Sequence, residues 1–229
     1  MNIVHICTSD LMHGAGVAAY RLHKALKKEG VHSTLIVAQK FSKDEDVLSA
    51  KPEPVNLLSR ACRWGHYGLE LTLNLLGPQN VYSYLSQGLE NHPAIQRADV
   101  IHLHNIHWPF RNFSLNLLKM GKAKPLFWTF HDMWPLTGHC YHSFECERWE
   151  SGCGRCPQLM AFIPILYDSS AYQWRLKKRI YSETKMAVIT PSKWLCQIAK
   201  RSPLLRGHQV YHIPNCIDQD LFKPSDKNQ

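Results

Sequence analysis

Short apolar runs alternate with segments of helical periodicity along most of the 229-residue chain. The strand-like runs are residues 2–7, 32–38, 100–103, 125–130, 186–190 and 209–213. Helical spacing of apolar residues occurs at 18–28, 115–122, 172–182 and 193–200. Repeated strand–helix–strand units favour a parallel sheet, because parallel strands need long crossover connections that are usually helical. We therefore predict an α/β fold with a doubly wound, Rossmann-like parallel sheet.

Composition and charge narrow the class of protein. Hydrophobic residues make up 45% of the chain and charged residues 20%, which argues against disorder. The first residues lack the basic and apolar regions of a secretory signal, and no run approaches the roughly 20 apolar residues of a membrane span. We therefore expect a cytoplasmic protein. The net charge of +9 indicates an acidic partner, which could be nucleic acid, a nucleotide phosphate or an anionic membrane face.

Three segments depart from the alternating pattern. Residues 55–91 are aromatic and leucine-rich with interleaved basic residues, which favours a helical flap packed on the domain. An amphipathic helix at a membrane surface is the alternative. Residues 131–157 carry four of the eight cysteines. Residues 214–229 are short, polar and proline-bearing, so we predict a domain over residues 1–213 followed by a linker.

Polar or small residues follow several of the predicted strands, where ligands of open parallel sheets bind. Gly14 and Gly16 follow the first strand and open a helix, so backbone N–H groups there could approach a phosphate. A plain tight turn is the alternative. His102, His104 and His107 favour polar lining of a cleft over a histidine-only metal site, because no carboxylate accompanies them.

Two further strand ends carry candidate functional residues. His131 and Asp132 follow the strand LFWTF, where a histidine can position a substrate hydroxyl or stabilise charge while Asp132 holds its tautomer. A structural histidine is the alternative. Lys193 could meet an anion at the start of a helix, although a plain N-cap is the favoured role of the preceding Ser192.

Four cysteines near His131 have spacing suited to a metal. They form a C-x5-C-x6-C-x2-C set of Cys140, Cys146, Cys153 and Cys156. The final CGRC has the form of a zinc knuckle, and this predicts a structural zinc site with His139 and His142 as reserve ligands. Unmetallated thiols are the alternative, and disulfides are disfavoured in a reducing compartment.

Five segments carry a resemblance to a known family: GAGVAAYRLHKAL, DVIHLHNIHW, FHDMWPLTGHC…CERWESGCGRCPQL, ITPSKWLCQIAKRSPL and VYHIPNCIDQDLFKP. They resemble the N-terminal half of family-four glycosyltransferases of the GT-B fold, of the type that builds colanic acid and capsular exopolysaccharides. The segments occur in the expected order and leave only residues 41–91 without a match. The resemblance implies retaining transfer of a sugar from a nucleotide-sugar to a saccharide or lipid-linked acceptor.

The resemblance also implies roles for particular residues. The glycine loop, residues 14–16, would approach the donor diphosphate, and His104 with Asn105 would line the cleft. His131 would lie beside the transferred sugar, with Asp132 supporting it. In a retaining front-side transfer the leaving phosphate can take the acceptor proton, so the protein mainly positions reactants and stabilises charge.

The resemblance has two departures. Cys216 stands where the family has a glycine before its interdomain linker, so the turn there is expected to differ. The chain ends where a C-terminal, donor-binding domain would begin, so we expect these 229 residues alone to be inactive.

Membrane contact and two other classes of function stay open. A lipid-linked acceptor is compatible with peripheral contact at the inner face of the cell membrane, to which the basic residues 174–185 are suited. An ordinary solvated helix is favoured there. The alternatives to a transferase are a zinc-containing, basic nucleic-acid-binding module and a non-catalytic saccharide-binding domain. Scattered basic residues without a recognition helix disfavour nucleic acid, and we expect no such partner.

Overall fold

A computed structural model of the chain describes residues 1–51, 55–108, 111–161, 164–218 and 222–223. Within these residues the strands are β1 (Asn2–Ser9), β2 (His32–Gln39), β3 (Val47–Ser49), β4 (Val100–Leu103), β5 (Leu126–Thr129), β6 (Ala187–Thr190) and β7 (Gln209–His212). The α-helices are α1 (His13–Lys28), α2 (Leu57–Leu76), α3 (Pro93–Arg97), α4 (Ser170–Ser182) and α5 (Lys193–Arg201).

The seven described strands form a parallel sheet in the order β3-β2-β1-β4-β5-β6-β7. The chain leaves β1 toward β2 and β3, and it then crosses to the other side of β1 to form β4. Such a reversal of strand order opens a crevice at the carboxyl ends of the two strands beside it. The crevice between the ends of β1 and β4 is therefore the expected place for a ligand.

Helices cover both faces of the sheet, which confirms the prediction of a doubly wound α/β fold. On one face α1 packs over β1 and β2 around Cys7, Ala19 and Leu35. The opposite face holds the larger core, where Trp128 and Tyr181 are fully buried among residues of α3, α4 and α5. Strands buried on both faces carry continuous apolar runs, and this is why the sequence shows them clearly.

Some elements differ from the sequence-based expectations. The short strand β3 was not predicted, because three residues give no periodic signal. Helix α1 begins at His13, several residues before the predicted start, because both glycines lie in its first turn rather than in a loop. Residues Leu115–Lys122 form a 3-10 helix rather than an α-helix.

The predicted flap contains α2, which turns its polar face inward and its apolar face outward, the reverse of an ordinary surface helix. Asn56 and Ser59 form a capping box at its start, and Gly77 ends it with a φ of 117°. The inward positions are polar and include His66, Tyr67, Glu70 and Asn74. The outward positions are mainly apolar and include Leu57, Leu58, Trp64, Leu69 and Leu76. A helix usually buries its apolar stripe, so the outward stripe of α2 requires an explanation.

The basic segment 174–185 lies mostly in α4 and is not a uniformly exposed basic helix. Trp174, Lys177 and Tyr181 are buried. The Lys177 ammonium donates to the carbonyl oxygens of Trp134 and Thr137 at 2.6 and 2.8 Å. Only the opposite face of α4 is solvated, which supports the ordinary-helix interpretation over a membrane-binding one.

None of the described helices is both long and apolar enough to cross a membrane. Residues 219–221 and 224–229 of the predicted linker lie outside the described residues. The boundary between residues 213 and 214 stays a prediction.

Candidate active site

The carboxyl ends of β1, β4 and β5 bring most of the predicted site residues to one edge of the sheet. His104 and Asn105 follow β4, and backbone hydrogen bonds to β1 hold both residues. The His104 N–H donates to the Ile6 carbonyl at 2.9 Å, and the Thr8 N–H donates to the Asn105 carbonyl at 2.8 Å. His131 follows the neighbouring strand β5. The parallel register therefore assembles a site from residues far apart in the sequence.

The glycines of the first turn of α1 have different surroundings. A Cβ at Gly16 would lie 2.6 Å from Ser9 Oγ and 2.8 Å from the Ser9 carbonyl oxygen, so Gly16 permits close packing of α1 on the end of β1. A Cβ at Gly14 would meet no atom within 4 Å. The side chain of Met12, the N-cap residue, makes no capping hydrogen bond. The first turn of α1 thus leaves room for a ligand at Gly14, whereas Gly16 is required for packing.

Asp10 is a buried carboxylate at the same edge that the sequence did not single out. Its oxygens accept hydrogen bonds from the backbone N–H groups of Leu11, Phe41 and Ser42 at 2.8–2.9 Å. Asp10 thereby ties the turn after β1 to the loop after β2. A structural role accounts for all of these contacts.

Asp132 hydrogen-bonds a different histidine from the one predicted. Its carboxylate lies 2.9 and 3.1 Å from Nε2 of His107, and it accepts a hydrogen bond from the Trp134 N–H at 2.8 Å. The His107 ring stacks on Trp134 with ring centroids 4.3 Å apart. The prediction that Asp132 holds the tautomer of His131 is therefore wrong in its partner, because the hydrogen bond goes to His107.

His131 contacts an imidazole instead of a carboxylate. Its Nε2 lies 3.5 Å from Nδ1 of His104, and Nε2 of His104 lies 3.1 Å from Nδ1 of His5. His102 bonds Thr129 Oγ1 through Nε2 at 2.8 Å. The histidines of residues 102–107 are 2–8% exposed, so they offer little surface to a ligand, and their part in lining the cleft stays a prediction. Their side chains lie beneath it, and His131 is half-buried at the surface.

Burial keeps the imidazoles of this group uncharged. It lowers the pKa of His102 to about 3 and that of His131 to about 4. It also lowers the pKa values of His5 and His104 well below the ordinary range, and neighbouring imidazoles add to the effect. These four rings are therefore neutral near pH 7, and each ring nitrogen is either a donor or an acceptor.

His5, His102 and His104 also form a geometric candidate for a metal site. Their ligand nitrogens lie within 4.8 Å of one another, and no other such group occurs among the described residues. The group contains no carboxylate, so a buried divalent cation there would keep its full charge in a medium of low polarity. The 3.1 Å separation between His5 and His104 is that of a hydrogen bond between two rings.

Lys193 and Ser192 lie at the start of α5. Ser192 Oγ accepts the Leu195 N–H at 3.1 Å, so the predicted N-cap is confirmed. Lys193 is exposed beside the cap. Its proposed contact with an anion stays a prediction.

The four cysteines surround one small cavity of about 20 Å³ but do not converge on one point. Cys153 and Arg155 both have positive φ values, and the Gly138 N–H donates to Cys153 Sγ at 3.2 Å. Burial raises the pKa of Cys140 to about 11 and that of Cys153 to about 12, so both are neutral thiols without a metal. All four cysteines are free of disulfides, and no three of their sulfur atoms lie within 4.8 Å of one another.

The two reserve ligands have other partners. Nδ1 of His139 lies 3.2 Å from Oε1 of Gln79. His142 accepts the Phe144 N–H at 2.9 Å and stacks on Trp194 with parallel rings. His139 nevertheless lines the same small cavity as the four thiols, and its buried Nε2 has no hydrogen-bond partner among the described residues, so His139 stays a reserve ligand.

Comparisons with known proteins bear on this site. Residues 12–221 match the model of Glycosyltransferase Family 4. The chain is 33% identical over 194 residues to WcaC of Escherichia coli K12, which carries the name colanic acid biosynthesis glycosyl transferase. That match covers 80% of this chain and 46% of the relative, so the chain spans about half of its length. Among solved structures, MurG of Acinetobacter baumannii matches with 8% identity and a TM-score of 0.27, covering 96% of this chain and 69% of MurG.

Proposed function

The chain belongs to glycosyltransferase family 4, and on this premise we propose that it is the N-terminal, acceptor-side domain of a retaining glycosyltransferase. The full-length enzyme would transfer a sugar from a nucleotide-sugar to a saccharide or lipid-linked acceptor in exopolysaccharide synthesis. A hexose is the expected sugar, and the cytoplasm is the expected compartment. The family assignment favours this function over the nucleic-acid-binding and non-catalytic alternatives.

The observation that carries the proposal is the position of His131 at the edge of the sheet where the first turn of α1 begins. Backbone N–H groups of that turn have no side-chain cap, and Gly14 adds no bulk in front of them. A helix N-terminus of this kind favours a diphosphate, because its N–H groups and its dipole both attract negative charge. A donor held there would have its sugar near the ends of β4 and β5.

His131 suits the chemistry of a front-side transfer as a neutral hydrogen-bonding group. Burial lowers its pKa to about 4, so it would carry no charge while a glycosidic bond breaks. The leaving phosphate would accept the acceptor proton, and His131 would orient a hydroxyl or stabilise developing charge. Asp132 would act one step further away, by fixing His107 and the turn that begins at Trp134.

The test is sugar transfer by the full-length protein that contains this chain. We expect release of nucleoside diphosphate from a panel of nucleotide-sugars, with kcat lowered about 100-fold or more by His131→Ala. Thr129→Val is the matched control, because Thr129 lies two residues away and bonds only His102. Retained activity in His131→Ala would refute the assigned role. Binding of saccharide without any transfer would support the non-catalytic alternative.

The 229-residue chain alone is expected to be inactive. The relative WcaC is about twice as long as the matched region, and donor-binding residues are expected in the remainder. Measurable turnover by the isolated chain would contradict this expectation.

We also propose that Cys140, Cys146, Cys153 and Cys156 bind a structural zinc ion. The shared cavity and the left-handed turn at residues 153–155 support this, although binding would require the thiols to rotate toward one point. We expect about one zinc per chain in protein purified without chelator, and its loss in Cys153→Ser. Exposed Cys62, replaced by serine, is the matched control. A zinc content far below one ion per chain would refute the site.

Peripheral membrane contact is proposed through α2 rather than through α4. The outward stripe of α2 exposes 69% of Trp64 together with Leu57 and Leu58, and Arg60 is the exposed charge beside them. An apolar face flanked by arginine suits the interface of an anionic bilayer. Co-sedimentation with anionic vesicles should fall in Trp64→Glu and persist in Tyr172→Glu, an equivalent change on α4. Equal binding of both variants, or concentration-dependent dimerisation through α2 instead, would contradict the proposal.

A further inference from the structure

Three imidazoles, one within β1 and the others just after β4 and β5, form a hydrogen-bonded chain that ends at His131. We call His5, His104 and His131 the imidazole chain. His5 lies in β1 and pairs in register with His102 of β4, so His104 falls on the same face two residues later. The contacts are 3.1 Å from His5 Nδ1 to His104 Nε2 and 3.5 Å from His104 Nδ1 to His131 Nε2.

A chain of neutral imidazoles has only two arrangements of protons, because each ring carries one N–H and each contact needs one donor. In the first arrangement every ring is protonated on Nδ1, and His5 donates to His104, which donates to His131. In the second, every ring is protonated on Nε2 and the direction of donation is reversed. The tautomer of His131 is thus set by the ring at the far end.

The surroundings of His5 distinguish the two arrangements. Its Nε2 is buried and has no hydrogen-bond partner among the described residues. The second arrangement would bury an unpaired N–H at this atom, whereas the first leaves an unpaired acceptor. Folded proteins bury unpaired donors less often than under-used acceptors. The first arrangement is therefore favoured.

We propose that His5 and His104 are positioning residues that hold His131 as its Nδ1–H tautomer, so that it donates a hydrogen bond to a substrate oxygen. Nδ1 is the nitrogen of His131 outside the chain. A donor there stabilises a sugar hydroxyl or a negatively charged oxygen and cannot act as a general base. The substrate half of this inference rests on the proposed glycosyl transfer, whereas the tautomer does not.

Nitrogen-15 NMR of the histidine-labelled protein at pH 7.5 tests the tautomer directly, since protonated and bare ring nitrogens have well separated shifts. We expect Nδ1–H in His5, His104 and His131. An Nε2–H form of His131 in the unmodified protein would overturn the proposal without any substitution.

Two substitutions of His5 test the direction of control. His5→Asp places a carboxylate near the Nδ1 position, and because an ionised carboxylate only accepts hydrogen bonds, we expect His104 and His131 to change to the Nε2–H form. His5→Asn, of nearly the same shape, places an amide N–H there and should keep the Nδ1–H form. His102→Gln is the control, because His102 is buried beside the same rings and bonds Thr129 rather than the chain. If His131 keeps its Nδ1–H form in folded His5→Asp, His5 does not determine the tautomer of His131 and the proposal is refuted.

Metal content and kinetics supply the remaining outcomes. Stoichiometric metal that is lost in His5→Phe would reassign these rings to a metal site and overturn the proposal. In the full-length enzyme, His5→Asp should lower kcat about 10- to 100-fold with little change in KM, and His5→Asn should retain most of the unmodified kcat. If His131 is in the Nδ1–H form but the full-length protein transfers no sugar, only the proposed function is contradicted. If sugar is transferred while His131 is in the Nε2–H form, only this inference is contradicted.

Discussion

Replacing Gly16 by alanine should move the first turn of α1 away from the end of β1. The added Cβ would lie 2.6 Å from Ser9 Oγ and 2.8 Å from the Ser9 carbonyl oxygen. Ser9 cannot easily retreat, because it is buried and its hydroxyl donates to the Met12 carbonyl at 2.6 Å. Overpacking of this kind costs about 1–3 kcal/mol of unfolding free energy. For a chain of this size that corresponds to a fall in Tm of roughly 2–12 °C.

Gly14→Ala is the matched control, two residues earlier in the same turn. Its Cβ would meet no atom within 4 Å, and alanine in a helix is about 0.5–1 kcal/mol more favourable than glycine. Urea unfolding followed by circular dichroism should therefore give opposite signs for the two variants. Equal stability of Gly16→Ala and the unmodified protein would refute the packing argument.

The same pair separates packing from ligand binding. If a diphosphate approaches the first turn of α1, Gly14→Ala should weaken nucleotide-sugar binding to the full-length enzyme without loss of stability. Calorimetric titration measures the affinity. Unchanged affinity in Gly14→Ala would remove the glycine loop from the proposed donor site.

Substitutions at Glu70, Ser192 and Lys177 test the structure more widely. Burial raises the pKa of Glu70 to about 7 from an ordinary 4.5, so the folded protein keeps a proton that the unfolded chain releases. The contribution of Glu70 to the free energy of unfolding is full below about pH 4.5 and is lost as pH rises through 7. Glu70→Gln has no proton to lose, so between pH 5 and 8 its free energy of unfolding should rise by up to about 3 kcal/mol relative to the unmodified protein, as measured by urea unfolding. A gain that does not vary with pH would contradict the shift. Ser192→Ala should cost about 1 kcal/mol in the same assay, whereas Ser192→Asn keeps the cap to Leu195 and should not. Lys177→Met removes the donor to the buried Thr137 carbonyl and leaves the Trp134 carbonyl with only the Thr137 N–H, so it should cost about 1–3 kcal/mol, while exposed Lys178→Met should cost little. Similar losses in both variants would refute the buried role.

The fold was predictable because its determinants are local. Continuous apolar runs mark strands that are buried on both faces, and the predicted strand at 100–103 coincides with β4. The helix start at His13 was missed because glycine is usually a turn former, and here Gly16 is needed for contact with a strand.

The site was predictable only in part, because its contacts join distant residues. The sequence placed His131 and His104 at strand ends correctly, but adjacency suggested that Asp132 would bind His131. The hydrogen bond to His107 spans 25 positions and leaves no local signal. In the sequence His5 is only one residue of a buried strand, because its partner His104 is 99 residues away.

The interior position of β1 in the sheet, between β2 and β4, has a consequence for synthesis from the N-terminus. β2 can pair with one edge of β1 early, but the other edge waits for β4 at Val100–Leu103. Until then an apolar strand edge stays open on the nascent chain, and α2 emerges meanwhile with its own apolar face outward. Open strand edges of this kind promote association between chains. A ribosome-bound chain paused before β4 should therefore need a chaperone more than one paused after it.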